Sequence, residues 1–147
     1  QVSEAWDVMA TYGYLNSEYD NYVADLTGDG IVTDNSDLVP RNTPENTFGL
    51  TTSYTTQIGD GDLKARISYR FRDSMETESQ NNPLGSLDSI HNVNANINYT
   101  ISNYMVSVWG RNITDEREER WSTIGGLTSR GWWNEPATYG VTFSASF

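Results

Sequence analysis

The chain has 147 residues, no cysteine and a formal net charge of −11. That acidity argues against a nucleic-acid partner, because a phosphate backbone needs a basic surface, and the missing thiols exclude disulfides, thiolate metal sites and a cysteine nucleophile. A mean hydropathy of −0.61 without a run of about 18 apolar residues excludes membrane-spanning helices, yet not barrel strands, which carry half their residues toward water.

Period-2 alternation recurs six times along this single-domain length. Trp6, Val8, Ala10, Tyr12 and Tyr14 share one face of a first run, opposite Asp7, Thr11 and Gly13. Phe48, Leu50, Thr52, Tyr54 and Ile58 do so in a second, against Gly49, Thr51, Ser53, Thr55 and Gln57. A third sets Leu63, Ala65, Ile67, Tyr69 and Phe71 against Lys64, Arg66, Ser68, Arg70 and Arg72. The fourth is the cleanest, with Val93, Ala95, Ile97, Tyr99 and Ile101 against Asn92, Asn94, Asn96, Asn98 and Thr100. The fifth opposes Tyr104, Val106 and Val108 to Ser107, Trp109 and Arg111. The sixth ends the chain, with Tyr139, Val141, Phe143, Ala145 and Phe147 against Gly140, Thr142, Ser144 and Ser146. No segment holds a helical period over a useful length, so the chain is predicted to be all-β.

The connections alternate in length. Gly59-Asp-Gly-Asp62 and Ser102-Asn103 are tight turns, whereas Asn21 to Asn46, Ser74 to Ser89 and Glu116 to Glu135 are long and polar. Short turns on one side and long loops on the other are the pattern of an antiparallel transmembrane β-barrel of the bacterial outer membrane, with the short side periplasmic. Strands of about 9–11 residues suffice to cross a bilayer at a tilt. Terminal Phe147 then falls on the periplasmic side, and the aromatic residues suit interfacial girdles. Six strands do not close a barrel, since the smallest single-chain ones have about eight, and open edges in lipid leave backbone groups unsatisfied. The expectation is a segment of a larger barrel. An exported barrel also needs a signal peptide, which the start of this sequence does not resemble, so Gln1 is not expected to be the true beginning.

The stretch Tyr104-Met-Val-Ser-Val-Trp-Gly-Arg-Asn-Ile-Thr-Asp-Glu116 resembles the penultimate strand of TonB-dependent outer-membrane receptors, which typically ends in Asn-Leu-(Thr/Phe)-Asp-(Glu/Lys). Asn134-Glu-Pro-Ala-Thr-Tyr-Gly-Val-Thr-Phe-Ser-Ala-Ser-Phe147 resembles that family's closing strand, and Arg41-Asn-Thr-Pro-Glu-Asn-Thr-Phe48 its proline-led entry to an earlier one. Ile113 replaces the common Leu, and Ala137 stands where Arg is usual. The resemblance implies the last six strands of a plugged barrel of about 22. It implies active uptake of a ferric siderophore, cobalamin or oligosaccharide. The implied partners are lipid and lipopolysaccharide, the remaining strands and plug, and the TonB complex. Tyr139, Val141, Phe143 and Phe147 would be the signal read by the barrel-assembly machinery.

Several constellations carry expectations beyond the wall itself. Lys64, Arg66, Arg70 and Arg72, with Arg111, Asn94 and Asn96, face the lumen; buried cations need anions opposite them, from the implied plug, or they guide an anionic ferric chelate. Trp121, Trp132 and Trp133, near Gly125 and Gly126, either stack on a ligand or brace the last long loop. Asp115-Glu-Arg-Glu-Glu-Arg120 reads as a solvated outer rim. Asp25, Thr27 and Asp29, followed by Gly30, resemble a calcium loop, but Thr27 stands where Asp or Asn is normal and position twelve is Ser36. Calcium is the one cofactor the sequence suggests; the same acids would equally form a polar loop or meet divalent ions among lipopolysaccharide head groups. The lone histidine, His91, supports no triad or metal set, and no enzyme is expected. The alternatives are a soluble, calcium-assisted carbohydrate-binding β-sandwich, or a passive porin.

Overall fold

The computed structural model describes residues 4–117, 119–125 and 128–147; Gln1, Glu118 and Gly126 lie outside them. Among the described residues twelve strands follow in order: β1 (Trp6–Tyr14), β2 (Val23–Ala24), β3 (Thr33–Asp34), β4 (Asn46–Ile58), β5 (Gly61–Arg72), β6 (Met75–Glu76), β7 (Ser86–Leu87), β8 (Ile90–Ile101), β9 (Tyr104–Arg111), β10 (Glu119–Gly125), β11 (Thr128–Trp133) and β12 (Thr138–Ala145). One 3-10 turn, Pro83–Gly85, is capped by Asn82, whose side chain accepts from the Leu84 N–H. Among the described residues no helix is long and apolar enough to cross a membrane.

The six predicted strands form one antiparallel sheet in the order β1-β4-β5-β8-β9-β12. Their lengths run from 8 residues in β9 and β12 to 13 in β4, a wider spread than expected. β4 and β5 stay paired from Thr47–Arg72 down to Ile58–Gly61 because a two-residue turn joins them, with Gly59 supplying the positive φ of 61°. β9 stops early because Asn112 turns into the left-handed region, φ 48°.

The register aligns all six alternating runs. One row crosses the sheet as Trp6, Tyr54, Ala65, Ile97, Val108 and Val141; the neighbouring row on the other face reads Asp7, Ser53, Arg66, Asn96, Trp109 and Gly140. One face is therefore continuously apolar and the other polar, as alternate side chains require. The apolar face mixes aliphatic and aromatic residues. Tyr12, Tyr14, Phe48 and Phe71 lie in its outermost rows at the long-loop end, Trp6 and Tyr54 share the row of Ile97, and Tyr99, Tyr104 and Phe143 follow toward the short turns beside Leu63, Val106 and Ile101. It is also uncovered: Val141 is 71% exposed, Phe143 66% and Ile97 50%. Among the described residues no second sheet lies over it, which removes the layer a sandwich needs.

Among the described residues the buried apolar side chains, Leu87 and Ile90, lie at the long-loop end instead. There the three long connections interlock. Val39 and Asn81 exchange hydrogen bonds of 2.6 and 2.9 Å, the Asn42 N–H donates to the Glu76 carbonyl, and Gln80 donates to the Leu26 carbonyl. Thr77 donates to the Ser122 carbonyl, and Ser122 to that of Leu84. The Glu116–Glu135 connection holds a hairpin, β10 with β11, where the sequence suggested only a loop. Its signal was a Gly-Gly pair between runs rich in Trp, Thr and Ile, which is hairpin chemistry without clean alternation.

Candidate functional site

The polar face and the β10–β11 hairpin enclose a concavity of about 960 Å3 at the outer ends of β5, β8 and β9. Arg70, Arg111, Arg120, Trp132 and Trp133 line it, together with the limb Asn134–Pro136 that leads into β12. Arg70 and Arg111 come from the predicted lumen row, and the two tryptophans from the predicted ligand loop. Arg120 is exposed, as expected of the Asp115–Arg120 run, and the hairpin carries it to the concavity.

Arg111 is held in place by stacking. Its guanidinium carbon lies 5.2 Å from the Trp109 ring centroid, a cation–π contact. Trp109 in turn donates to Thr142 at 3.2 Å and lies flat across Gly140, where any Cβ would meet the indole.

Asn112 organises the adjoining rim and is 5% exposed. Its backbone N–H donates to Asn94 at 2.9 Å, and its side-chain amide donates to the carbonyls of Glu116 and Glu135 at 2.9 and 3.1 Å. Its side-chain oxygen accepts from the Glu116 N–H and from Asn92. Asn92 also accepts from Asn94, and Asp115 accepts from the Ala137 N–H at 2.9 Å. The Asn112-Ile-Thr-Asp115 motif thus ties β8 and the end of β9 to the start of β12. Short polar side chains suit this bend, since Asn112 and Asp115 both sit at positive φ.

The remaining predicted residues are placed as follows. Arg66 lines a second, smaller concavity with Asn96, Trp109 and Arg111. Lys64 stands in register between Thr55 and Asn98. Arg72 donates to the Asp73 and Asp88 carbonyls and so secures a loop entry. The Trp121 backbone pairs with Trp132 in the hairpin. Tyr139, Val141 and Phe143 lie on the apolar face, where Phe143 stacks on Tyr104 at 6.0 Å, and Phe147 follows the end of β12. His91, on the same face, accepts or donates a 2.8 Å hydrogen bond with Tyr69 and packs 5.0 Å from Phe71.

In the Asp25–Asp34 loop the carboxylate of Asp25 accepts from the N–H groups of Gly28 and Gly30 at 2.7 and 2.8 Å and from the Thr27 hydroxyl. Asp29 accepts from the Ile31 N–H at 2.8 Å. Among the described residues no three His, Cys, Asp or Glu side chains converge as metal ligands would. The Gly30 N–H, followed by those of Gly28 and the Thr27 hydroxyl, holds the Asp25 carboxyl below its ordinary value of 3.8. A depressed folded-state value makes these bonds stabilising above that pH, and their contribution is lost as pH falls through the lower value. The Gly30 amide resonance is therefore expected to titrate with a midpoint below 3.8; a midpoint at or above it contradicts the assignment.

No protein-family model and no curated protein matches the chain. Two solved structures do. The ferric yersiniabactin uptake receptor FyuA from Yersinia pestis is similar over 100% of this chain, with TM-score 0.80 and 14% identity. The siderophore receptor PiuA from Acinetobacter baumannii is similar over 97%, with TM-score 0.69 and 21% identity. The chain spans 22% and 20% of those receptors. Its six-stranded sheet, apolar on one face and polar on the other, has the fold of the matching segment of these two receptors.

Proposed function

We propose that this chain forms part of the outer-membrane wall of a TonB-dependent receptor that imports a ferric chelate. The observation that carries the reading is the uncovered apolar face, continuous across all six strands and rich in aliphatic and aromatic side chains, which suits the lipid-facing side of a membrane barrel. In water such a face would demand a covering layer; in lipid each exposed aliphatic side chain is at home. The polar face then lines the lumen, where Lys64 and Arg66 meet the acidic side of a plug. The long connections are extracellular, and the concavity below them is where ligand is captured. The similarity to two siderophore receptors supports a ferric chelate over cobalamin or an oligosaccharide.

In this reading the full-length protein supports growth on a ferric chelate as sole iron source only in cells with functional TonB. Growth that is independent of TonB, or no uptake of any chelate, contradicts it. Phe147 closes the assembly signal, and its deletion is expected to reduce heat-modifiable barrel in the outer membrane severalfold. An unchanged amount sinks the assembly role of Phe147.

A further inference from the structure

We propose that strand glycines, each filled by a side chain of the facing strand, set the register of the strand pairs that no tight turn aligns, with β9–β12 the strictest case. This goes beyond uptake, because it assigns Trp109, Gly110, Tyr139 and Gly140 to assembly of the wall rather than to its cargo.

Tight turns align β4 with β5 and β8 with β9. The other pairs, β1–β4, β5–β8 and β9–β12, are separated by residues 15–45, 73–89 and 112–137. Closing such a connection costs nearly the same in neighbouring registers, since loop entropy changes slowly with length. Alternation forbids a slip of one residue, which would turn the apolar side chains to the other face. It does not sense a slip of two, which returns every side chain to its own face. Those pairs need a gauge made of side chains.

The glycines of the six strands are Gly13, Gly49, Gly61, Gly110 and Gly140. Glycine weakens a strand interior and marks a close approach. At each of these positions the approaching group comes from the strand across a long connection. A Cβ at Gly13 would lie 2.7 Å from Thr47 Oγ1, and one at Gly49 2.6 Å from Thr11 Oγ1. At Gly61 it would lie 2.6 Å from the Tyr99 ring, at Gly110 3.0 Å from that of Tyr139, and at Gly140 inside the contact radius of the Trp109 indole.

In β9–β12 the arrangement is reciprocal. Trp109 stands directly opposite Gly140 on the polar face, and Tyr139 directly opposite Gly110 on the apolar face. Each strand contributes one ring and one glycine, and each ring is pinned. The Trp109 indole donates to Thr142 at 3.2 Å, and the Tyr139 hydroxyl donates to the Ile113 carbonyl at 3.3 Å. A slip of two in either direction sets the indole against Thr138 or Thr142 and Tyr139 against Val108 or Asn112. Rings that lie flat on bare backbone then meet Cβ atoms, and both glycines are left uncovered.

The test reads register by cysteine cross-linking in the full-length protein in intact cells. Ser107 and Thr142 are opposite in the native register. Ser107 with Ser144, and Met105 with Thr142, become opposite only after a slip of two. In the parent, cysteines at 107 and 142 should cross-link far more than either slipped pair. Removing both rings, by Trp109→Val with Tyr139→Val, should raise the slipped share severalfold; an unchanged ratio overturns the proposal. Gly140→Ala should lower folded, heat-modifiable protein severalfold, and adding Trp109→Val should recover it. Should Gly140→Ala accumulate no folded protein, the double variant decides. A tolerated Gly140→Ala, or no recovery in the double variant, overturns the proposal, because the glycine would then not be a socket for the indole.

Discussion

Replacing Asn112 with alanine is expected to release the outer end of β12 and the hairpin above it, while the rest of the sheet stays intact. The substitution leaves the carbonyls of Glu116 and Glu135 and the N–H of Glu116 without their side-chain partner. Glu116 is half-buried and Glu135 exposed, so each stranded group costs about 1 kcal/mol, the low end of the range for buried groups. Alanine at a φ of 48° adds roughly 1–2 kcal/mol of backbone strain. Allowing for water that re-enters the opened rim, the local loss should be about 2–3 kcal/mol. Asn112→Asp separates the contributions, because a carboxylate still accepts from Glu116 but no longer donates to the two carbonyls. Hydrogen exchange at Thr138–Gly140 and along β10 and β11 should accelerate strongly in the alanine variant and less in the aspartate one. Unchanged protection in both would show that Asn112 is not the tie.

The second large effect compares neighbours on one strand. Ile97 stands at mid-height on the apolar face, between Ala65 and Val108, and Asn96 on the opposite face stands across from Arg66. Ile97→Arg places a cation against the middle of the hydrocarbon, which costs about 2–4 kcal/mol in a membrane barrel. Asn96→Asp instead places a carboxylate opposite a guanidinium in a hydrated lumen, where it is tolerated or mildly stabilising. Folded, heat-modifiable protein in the outer membrane should fall sharply for Ile97→Arg and stay near the parent amount for Asn96→Asp. Similar yields from the two variants would contradict the assignment of faces.

The wall was legible in the sequence because strict alternation leaves one choice of face for each strand, and tight turns at Gly59-Asp60 and Ser102-Asn103 then leave little freedom of register. All six strands were placed to within about two residues, the usual uncertainty of strand ends. The site was only half legible. Arg70, Arg111, Trp132 and Trp133 were singled out by charge and aromaticity, but nothing in the sequence brings β5 and β9 to a hairpin many residues later. Arg120 is exposed, as its charge run suggests, but nothing in that run shows that it lines a concavity. Asn112 was visible only as part of a familiar motif. Its role depends on a left-handed backbone and on partners 18 and 23 residues away, and that convergence has no local signature.

The central claim is that the apolar face of the sheet meets lipid and the polar face meets water. Because the chain has no cysteine, spin labels introduced singly at Asn94, Ala95, Asn96, Ile97, Asn98 and Tyr99 report each face in turn. In the full-length protein in bilayers, accessibility to molecular oxygen should peak at Ala95, Ile97 and Tyr99. The labels at Asn94, Asn96 and Asn98 should be shielded from it. A scan without period two, or one in which Ala95, Ile97 and Tyr99 are closed to oxygen, would contradict the membrane assignment.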